Sequence, residues 1–150
     1  MSANSRSTPT SADAKAWALI FSAWMIASIS TLGALFLGEV MGVPPCNLCW
    51  YQRIFMFPLA LILPLGLFPL DIRVIRYALV LVAPGWLIAL FHQLLVGGVI
   101  PEAIKPCAPG IPCTETTIRW FGFMTIPSLS LLAFSVLSSL LVIALLRSRT

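Results

Sequence analysis

The sequence predicts an all-α, polytopic membrane protein: a bundle of four transmembrane helices with both termini on the cytoplasmic side. Of its 150 residues, 59% are hydrophobic and 9% are charged, whereas about a quarter of the residues of a soluble domain are charged. The few charges separate four continuous apolar runs, each long enough to cross a bilayer core of about 30 Å. The composition also excludes a disordered chain, which carries more charge and fewer apolar residues.

The apolar runs define the spans within one domain, 16–150. These spans are predicted at about 16–37, 51–70, 77–97 and 120–146. The first run is too long for the apolar core of a signal peptide, so we interpret it as an uncleaved span. Residues 1–15, rich in Ser, Thr and Ala, are expected to form a disordered cytoplasmic tail. The outer loops then cover about 38–50 and 98–119.

The positions of Lys and Arg predict the orientation, because cytoplasmic loops carry an excess of them. One side of the predicted bundle holds six: Arg6, Lys15, Arg73, Arg76, Arg147 and Arg149. The other holds three: Arg53, Lys105 and Arg119. The first side is therefore predicted to be cytoplasmic. A nucleic-acid partner is not expected, since no basic cluster is longer than Arg-Ser-Arg.

All four cysteines fall in the two predicted outer loops. Cys46 and Cys49 form a C-x-x-C motif, and Cys107 and Cys113 are separated by five residues. Disulfides persist outside the bacterial inner membrane and are rare in the cytosol. The sequence thus predicts an inner-membrane protein whose cysteine loops face the periplasm or the exterior.

Three interpretations of the cysteines differ in the function they imply. Two structural disulfides would make the chain a small, non-enzymatic membrane assembly subunit, but a bridge across two residues stabilises little. A zinc site of four thiolates requires reduced cysteines, and the second pair lacks the usual spacing. A C-x-x-C is a common redox arrangement, in which one thiol attacks a partner and its neighbour resolves the mixed disulfide. Redox chemistry without a metal is therefore favoured.

Two charged or ionisable residues are candidates for the same chemistry. Pro44 and Pro45 favour a helix start near Cys49, where the helix dipole favours a thiolate. Arg53 lies one turn after Cys49 and can share its face, although it could also extend to the membrane interface. His92 is ionisable within a span, which suggests a functional role, and the alternative is a neutral, packed imidazole.

The electrons of a redox dithiol need an acceptor. The sequence has no haem, flavin, dinucleotide or iron–sulfur motif. A lipid-soluble quinone, ubiquinone or menaquinone, accepts two electrons and is available in the bilayer. By elimination, the sequence predicts a quinone cofactor.

Three stretches resemble one known family. PCNLCWYQR at 45–53 resembles the C-x-x-C-x-Y-x-R signature of the DsbB/BdbC membrane disulfide-bond formation proteins. FHQLL at 91–95 is similar to their third-span motif, and FGFMTIPS at 121–128 to the start of their fourth span. The five-residue spacing of the second cysteine pair resembles the shorter, BdbC-like members.

The resemblance implies a thiol:quinone oxidoreductase. Cys46 and Cys49 would be the quinone-side pair, with Cys49 engaging the quinone, Arg53 binding it and His92 close to it. A soluble, DsbA-like thioredoxin-fold protein would attack Cys107, and Cys113 would then exchange with Cys46. Quinone would reoxidise the C-x-x-C pair and pass the electrons to the respiratory chain.

Overall fold

The computed structural model describes residues 11–68, 70–100 and 125–148. Four long helices run through them: α1 (Ser11–Leu35), α2 (Asn47–Ile62), α3 (Arg73–Val96) and α4 (Ile126–Arg147). A π-helical turn at Phe36–Val40 extends α1, and a 3-10 turn at Leu63–Gly66 extends α2. Each helix, with its extension, is long and apolar enough to cross a membrane. The predicted four-helix membrane bundle is confirmed, whereas the orientation of the termini stays a prediction.

The helix bounds differ from the spans drawn from the sequence because capping residues set them. Cys46 has an extended backbone and caps α2, so this helix begins at Asn47 rather than at 51. Thr125 caps α4 through a reciprocal pair of hydrogen bonds with Ser128, so α4 begins at Ile126 rather than at 120. At the other end of the chain, α1 begins at Ser11, inside the stretch expected to be a tail.

The four helices form a closed ring in which neighbours run antiparallel. α1 packs against α2 and α4, and α3 packs against the same two helices. The core between them is apolar, and its fully buried larger side chains are Ile20, Leu59, Leu63, Ile75, Val82, Phe134, Leu137 and Leu141. One end of the bundle carries the start of α2, the ends of α1 and α3, and the start of α4. We call it the cysteine end.

Pro64, in the 3-10 turn that extends α2, shows how the bundle satisfies backbone groups within an apolar environment. Pro64 has no N–H, so it cannot bond to the carbonyl of Ala60 one turn earlier. The indole Nε1 of Trp24, on α1, donates to that carbonyl at 3.1 Å. The contact satisfies a carbonyl that lipid could not, and it fixes α1 against α2.

Close packing between α3 and α4 depends on a glycine. Gly85, on α3, faces the ring of Phe134, which is fully buried on α4. A Cβ at position 85 would overlap that ring. Small residues let membrane helices approach closely, and here the gap left by Gly85 is filled by an aromatic ring.

Candidate active site

The C-x-x-C motif lies at the start of α2 with its two sulfur atoms side by side. The Sγ atoms of Cys46 and Cys49 are 3.0 Å apart, and both are free thiols. Cys46 is the capping residue, and its Sγ accepts a hydrogen bond from the backbone N–H of Cys49 at 3.4 Å. This geometry suits reversible formation of a disulfide between the two residues.

His92 reaches the motif from α3. Its Nε2 lies 3.9 Å from the Sγ of Cys46, and its Nδ1 lies 3.1 Å from the Nε2 of Gln52. Cys46, Gln52 and His92 are all more than nine-tenths buried. They form a short polar chain from α2 to α3 and back, enclosed by apolar side chains.

The electrostatic environment of this chain favours a thiolate at Cys46. The hydrogen bond from the Cys49 thiol, with smaller contributions from His92 and the Cys49 N–H, lowers the pKa of Cys46 to about 4, although burial opposes the shift. From the sequence, we expected the dipole at the start of α2 to favour a thiolate at Cys49. In the structure the N–H at the helix start contacts Cys46 instead, because Cys46 rather than a later residue is the cap.

Arg53 is held by the end of α1. Its Nη2 donates to the carbonyl of Ala34 at 2.9 Å, and its guanidinium carbon lies 5.7 Å from the centre of the Trp50 ring. Gly38, in the π-helical turn, leaves room for it: a Cβ there would lie 3.2 Å from Nη1. The backbone of α1 and the Trp50 ring thus orient the guanidinium.

A cavity of about 520 Å³ adjoins all of these side chains. Cys46, Cys49, Gln52, Arg53 and His92 line one part of it. Most of its remaining wall is apolar and comes from α1, α2 and α4, including Ile26, Leu37, Met56, Phe57, Ala133 and Phe134. The cavity therefore combines an apolar volume with a few polar groups gathered at one place, as small-molecule sites do.

The cavity also extends to the outer surface of the bundle between α1 and α4. Ile29 on α1 and Leu132 on α4 both line it, and they are 62% and 58% exposed. Exposed apolar side chains in the middle of spanning helices face lipid. An apolar molecule dissolved in the bilayer could therefore enter between these two helices.

The site also contains a set of atoms that could ligate a metal. The donor atoms of Cys46, Cys49 and His92 lie within 4.8 Å of one another, and zinc uses such ligands. A ligating Nε2 must be unprotonated. Here the amide nitrogen of Gln52 faces Nδ1, so Nδ1 accepts and Nε2 carries the proton. With the amide in this orientation, His92 is a hydrogen-bond donor toward Cys46 rather than a metal ligand.

The comparison with known families agrees with this site. The family model for "Disulfide bond formation protein DsbB" matches residues 14–144. The chain belongs to the DsbB family. Within it, the chain is similar to a "Probable disulfide formation protein" of Metapseudomonas resinovorans, with 47% identity over 89% of this chain and 92% of the relative. It is also similar to "Disulfide bond formation protein C" of Bacillus subtilis, with 44% identity over 77% and 83%. No solved structure gives a significant match.

In this DsbB-family chain, the structure brings four of the six predicted site residues together: Cys46, Cys49, Arg53 and His92. Cys107 and Cys113 lie outside the described residues. Gln52 was not predicted from the sequence, although an amide within a predicted apolar span is a candidate for function. The contact of Arg53 with Ala34 was not predicted either, and the sequence offers no signal for it because the acceptor is a backbone carbonyl.

Proposed function

We propose that this protein is a quinone-dependent thiol oxidase. It takes two electrons from a reduced, DsbA-like thioredoxin-fold protein and passes them to a quinone in the membrane, which is linked to the respiratory chain. The observation that carries the proposal is the dithiol of Cys46 and Cys49 lining a largely apolar cavity that also contains Arg53. Membership of the disulfide bond formation family supports the thiol chemistry.

The cavity fits a quinone in size and in chemistry. Its volume of about 520 Å³ falls within the range of about 300–1,000 Å³ typical of small-molecule sites. The lipid-facing walls of α1 and α4 suit an isoprenoid tail, and the polar groups suit a ring with two carbonyl oxygens. Either ubiquinone or menaquinone meets these requirements. When bound, a quinone accepts two electrons and two protons.

The protein's own contribution begins with two thiol–disulfide exchanges. A partner thiolate attacks Cys107 of a Cys107–Cys113 disulfide, and the partner's second thiol resolves the mixed disulfide. Cys113 then attacks the Sγ of Cys46 in a Cys46–Cys49 disulfide, whose bonding electrons leave on Cys49. Cys107 then attacks Cys113, which reforms the Cys107–Cys113 disulfide and releases Cys46 as a thiolate, so that two electrons have moved from the partner to the C-x-x-C pair.

Arg53 and His92 assist from the cavity wall. The guanidinium of Arg53 is a fixed positive charge that binds a carbonyl oxygen and stabilises negative charge there. His92 lines the same cavity and also contacts Cys46. Cys49, at the cavity surface, is the thiol nearest to the acceptor in this scheme.

The proposed function implies an orientation for this multi-pass protein. The cysteine end faces the periplasm or the exterior of the bacterial inner membrane, where a DsbA-like partner is found. The opposite end, with Lys15, Arg73, Arg76 and Arg147, faces the cytoplasm, in agreement with the excess of basic residues there.

The test uses the purified full chain with a reduced thioredoxin-fold partner and a soluble ubiquinone analogue. We expect quinone reduction matched one-to-one by formation of partner disulfide, and its loss in Cys49→Ala. Ser139→Ala, at an exposed position on α4, is the control and should keep full turnover. Retained turnover in Cys49→Ala would overturn the proposal. If the disulfides were only structural, no mixed disulfide between the partner and Cys107 or Cys113 could be trapped.

A further inference from the structure

We propose that Gln52 is a positioning residue that keeps the proton of His92 on Nε2, so that His92 donates a hydrogen bond to Cys46 and makes Cys46 a better leaving group from its mixed disulfide with Cys113. The inference rests on the proposed thiol-exchange function. It assigns a role to a side chain whose hydrogen bond is to His92 and which therefore acts on Cys46 through that residue.

The hydrogen bonds around the imidazole ring determine its tautomer. Gln52 Nε2 lies 3.1 Å from His92 Nδ1. An amide nitrogen only donates, so Nδ1 must be the acceptor and the single proton of the neutral ring lies on Nε2. That N–H points toward the Sγ of Cys46, 3.9 Å away. Because Gln52 and His92 are 6% and 1% exposed, water does not compete readily for these contacts.

The hydrogen bond that His92 donates to Cys46 affects one thiol–disulfide exchange, the one that releases Cys46 from Cys113. After Cys113 has bonded to Cys46, Cys107 attacks Cys113, so that a Cys107–Cys113 bond forms and the Cys113–Cys46 bond breaks. The electron pair of the broken bond leaves on Cys46 as a thiolate. No further oxidant is needed for this step, and a thiolate stabilised by a hydrogen bond leaves faster. The freed Cys46 is then ready to rebuild the disulfide with Cys49.

Few other charged or titratable groups surround Cys46 among the described residues. Cys49 and Arg53 lie on its own helix, and His92 is the one that α3 contributes to the cavity. The residues that α1 and α4 contribute to the cavity wall carry no charge. Once Cys49 is replaced, His92 is therefore the main side chain acting on the Cys46 thiol, and Gln52 acts through His92.

The first test reads the tautomer directly. The chain contains one histidine, so ¹⁵N-histidine labelling of the full chain in detergent micelles reports on His92 alone. In the reduced protein we expect a protonated Nε2 and an unprotonated Nδ1. In Gln52→Leu and Gln52→Met we expect a mixture of the two tautomers, with the proton on Nε2 in some molecules and on Nδ1 in others. A proton found on Nδ1 in the wild type, or unchanged spectra in both variants, would overturn the proposal.

The second test measures the effect on Cys46. In a full-length protein in which Cys49 is alanine and Cys107 and Cys113 are serine, ultraviolet thiolate absorbance gives the titration midpoint of Cys46. We expect His92→Phe to raise it by about one pH unit, a tenfold change in thiolate fraction below the midpoint. Gln52→Leu should raise it by about half as much and should add nothing in the His92→Phe background. A full additional shift in that background would contradict action through His92.

Gln93→Leu provides the matched control. Gln93 neighbours His92 on α3, and its Oε1 has no hydrogen-bond partner in the described part of the chain. The same chemical change there should leave the tautomer and the midpoint unaltered, and an equal shift would indicate a general packing effect. Neither readout uses quinone or partner protein, so failure here would leave the proposed oxidase function standing, and the reverse also holds.

Discussion

The two halves of the bundle differ in what occupies the space between their helices. At the cysteine end, a cavity of about 520 Å³ adjoins a buried chain of polar side chains, Cys46, His92 and Gln52. In the other half, apolar side chains fill the core. At the boundary between the halves, Phe134 lines the cavity and also packs so closely against α3 that Gly85 has no room for a Cβ. Both halves are built from the same four helices.

This difference indicates how stability and reactivity are separated. Lipid tails are as apolar as the core, so membrane helices associate mainly through close packing and hydrogen bonds rather than by excluding water. Side chains that line an unfilled cavity lack dispersion contacts on one side, so they contribute less to stability. We infer that the filled half holds the bundle together and that the cysteine end retains an open, polar site at the expense of packing.

Replacing Cys46 with alanine should produce the largest functional effect with the smallest structural one. Turnover should fall by about 10³-fold or more, because the residue that exchanges with Cys113 is lost. Stability of the oxidised protein should change little, since a bridge across two residues restricts the unfolded chain only slightly. Quinone reduction measures the loss of turnover, and unfolding by titration with a denaturing detergent measures the change in stability. A large loss of stability would contradict the separation of stability from reactivity.

Replacing Gly85 with alanine should have the opposite outcome. The added Cβ overlaps the ring of Phe134, which is fully buried and must shift from its packed position. We expect the free energy of unfolding to fall by about 1–3 kcal/mol, with turnover of the folded fraction retained. Gly33→Ala is the control, because a Cβ there meets no atom within 4 Å.

A second substitution sharpens the Gly85 prediction. Phe134→Leu removes part of the ring that the new methyl group meets, so it should recover some of the stability lost in Gly85→Ala. If the two effects simply add, the contact between α3 and α4 is not what limits packing at this boundary.

The sequence was more informative about the filled half than about the cysteine end. Four apolar runs were enough to predict four spanning helices, since the bilayer dictates their length. The one-turn spacing of Cys49 and Arg53 also predicted that both would reach one site, and both line the cavity. The capping residue of α2 could not be predicted in the same way. Only the structure shows that the backbone of Cys46 is extended and that its Sγ accepts the backbone N–H of Cys49 at the helix start.

The partners of Arg53 and His92 were beyond sequence reasoning for a physical reason. Gln52 meets His92 across 40 residues of chain, and Ala34 offers Arg53 a backbone carbonyl. Both contacts depend on the rotation of one helix against another, which apolar periodicity determines only coarsely. The cavity itself is a consequence of that rotation too.

Gly38→Ala tests whether the end of α1 orients Arg53 for the quinone. The new Cβ would lie 3.2 Å from Nη1, so the guanidinium must shift. We expect the KM for a soluble quinone analogue to rise about threefold, and about tenfold or more in Arg53→Leu, which loses a charged hydrogen-bond donor. Gly38→Ala should have no further effect in the Arg53→Leu background. An equal additional rise there would mean that Gly38 acts on the cavity without involving Arg53.

A further expected effect is a pH dependence restricted to the reduced cysteine end. The hydrogen bond from Cys49, with help from His92, lowers the pKa of Cys46 from 9.0 to about 4. Between these values the unfolded chain binds more protons than the folded one, so the stability of the reduced protein should rise with pH and be lost as pH falls toward 4. Denaturation of the reduced protein at about pH 5 and about pH 8 measures this trend. The oxidised protein is the control, because neither sulfur of its Cys46–Cys49 disulfide titrates. An identical pH dependence in both forms would place the titrating group outside this pair, and the distinction between a reactive end and a passive core would lose its electrostatic basis.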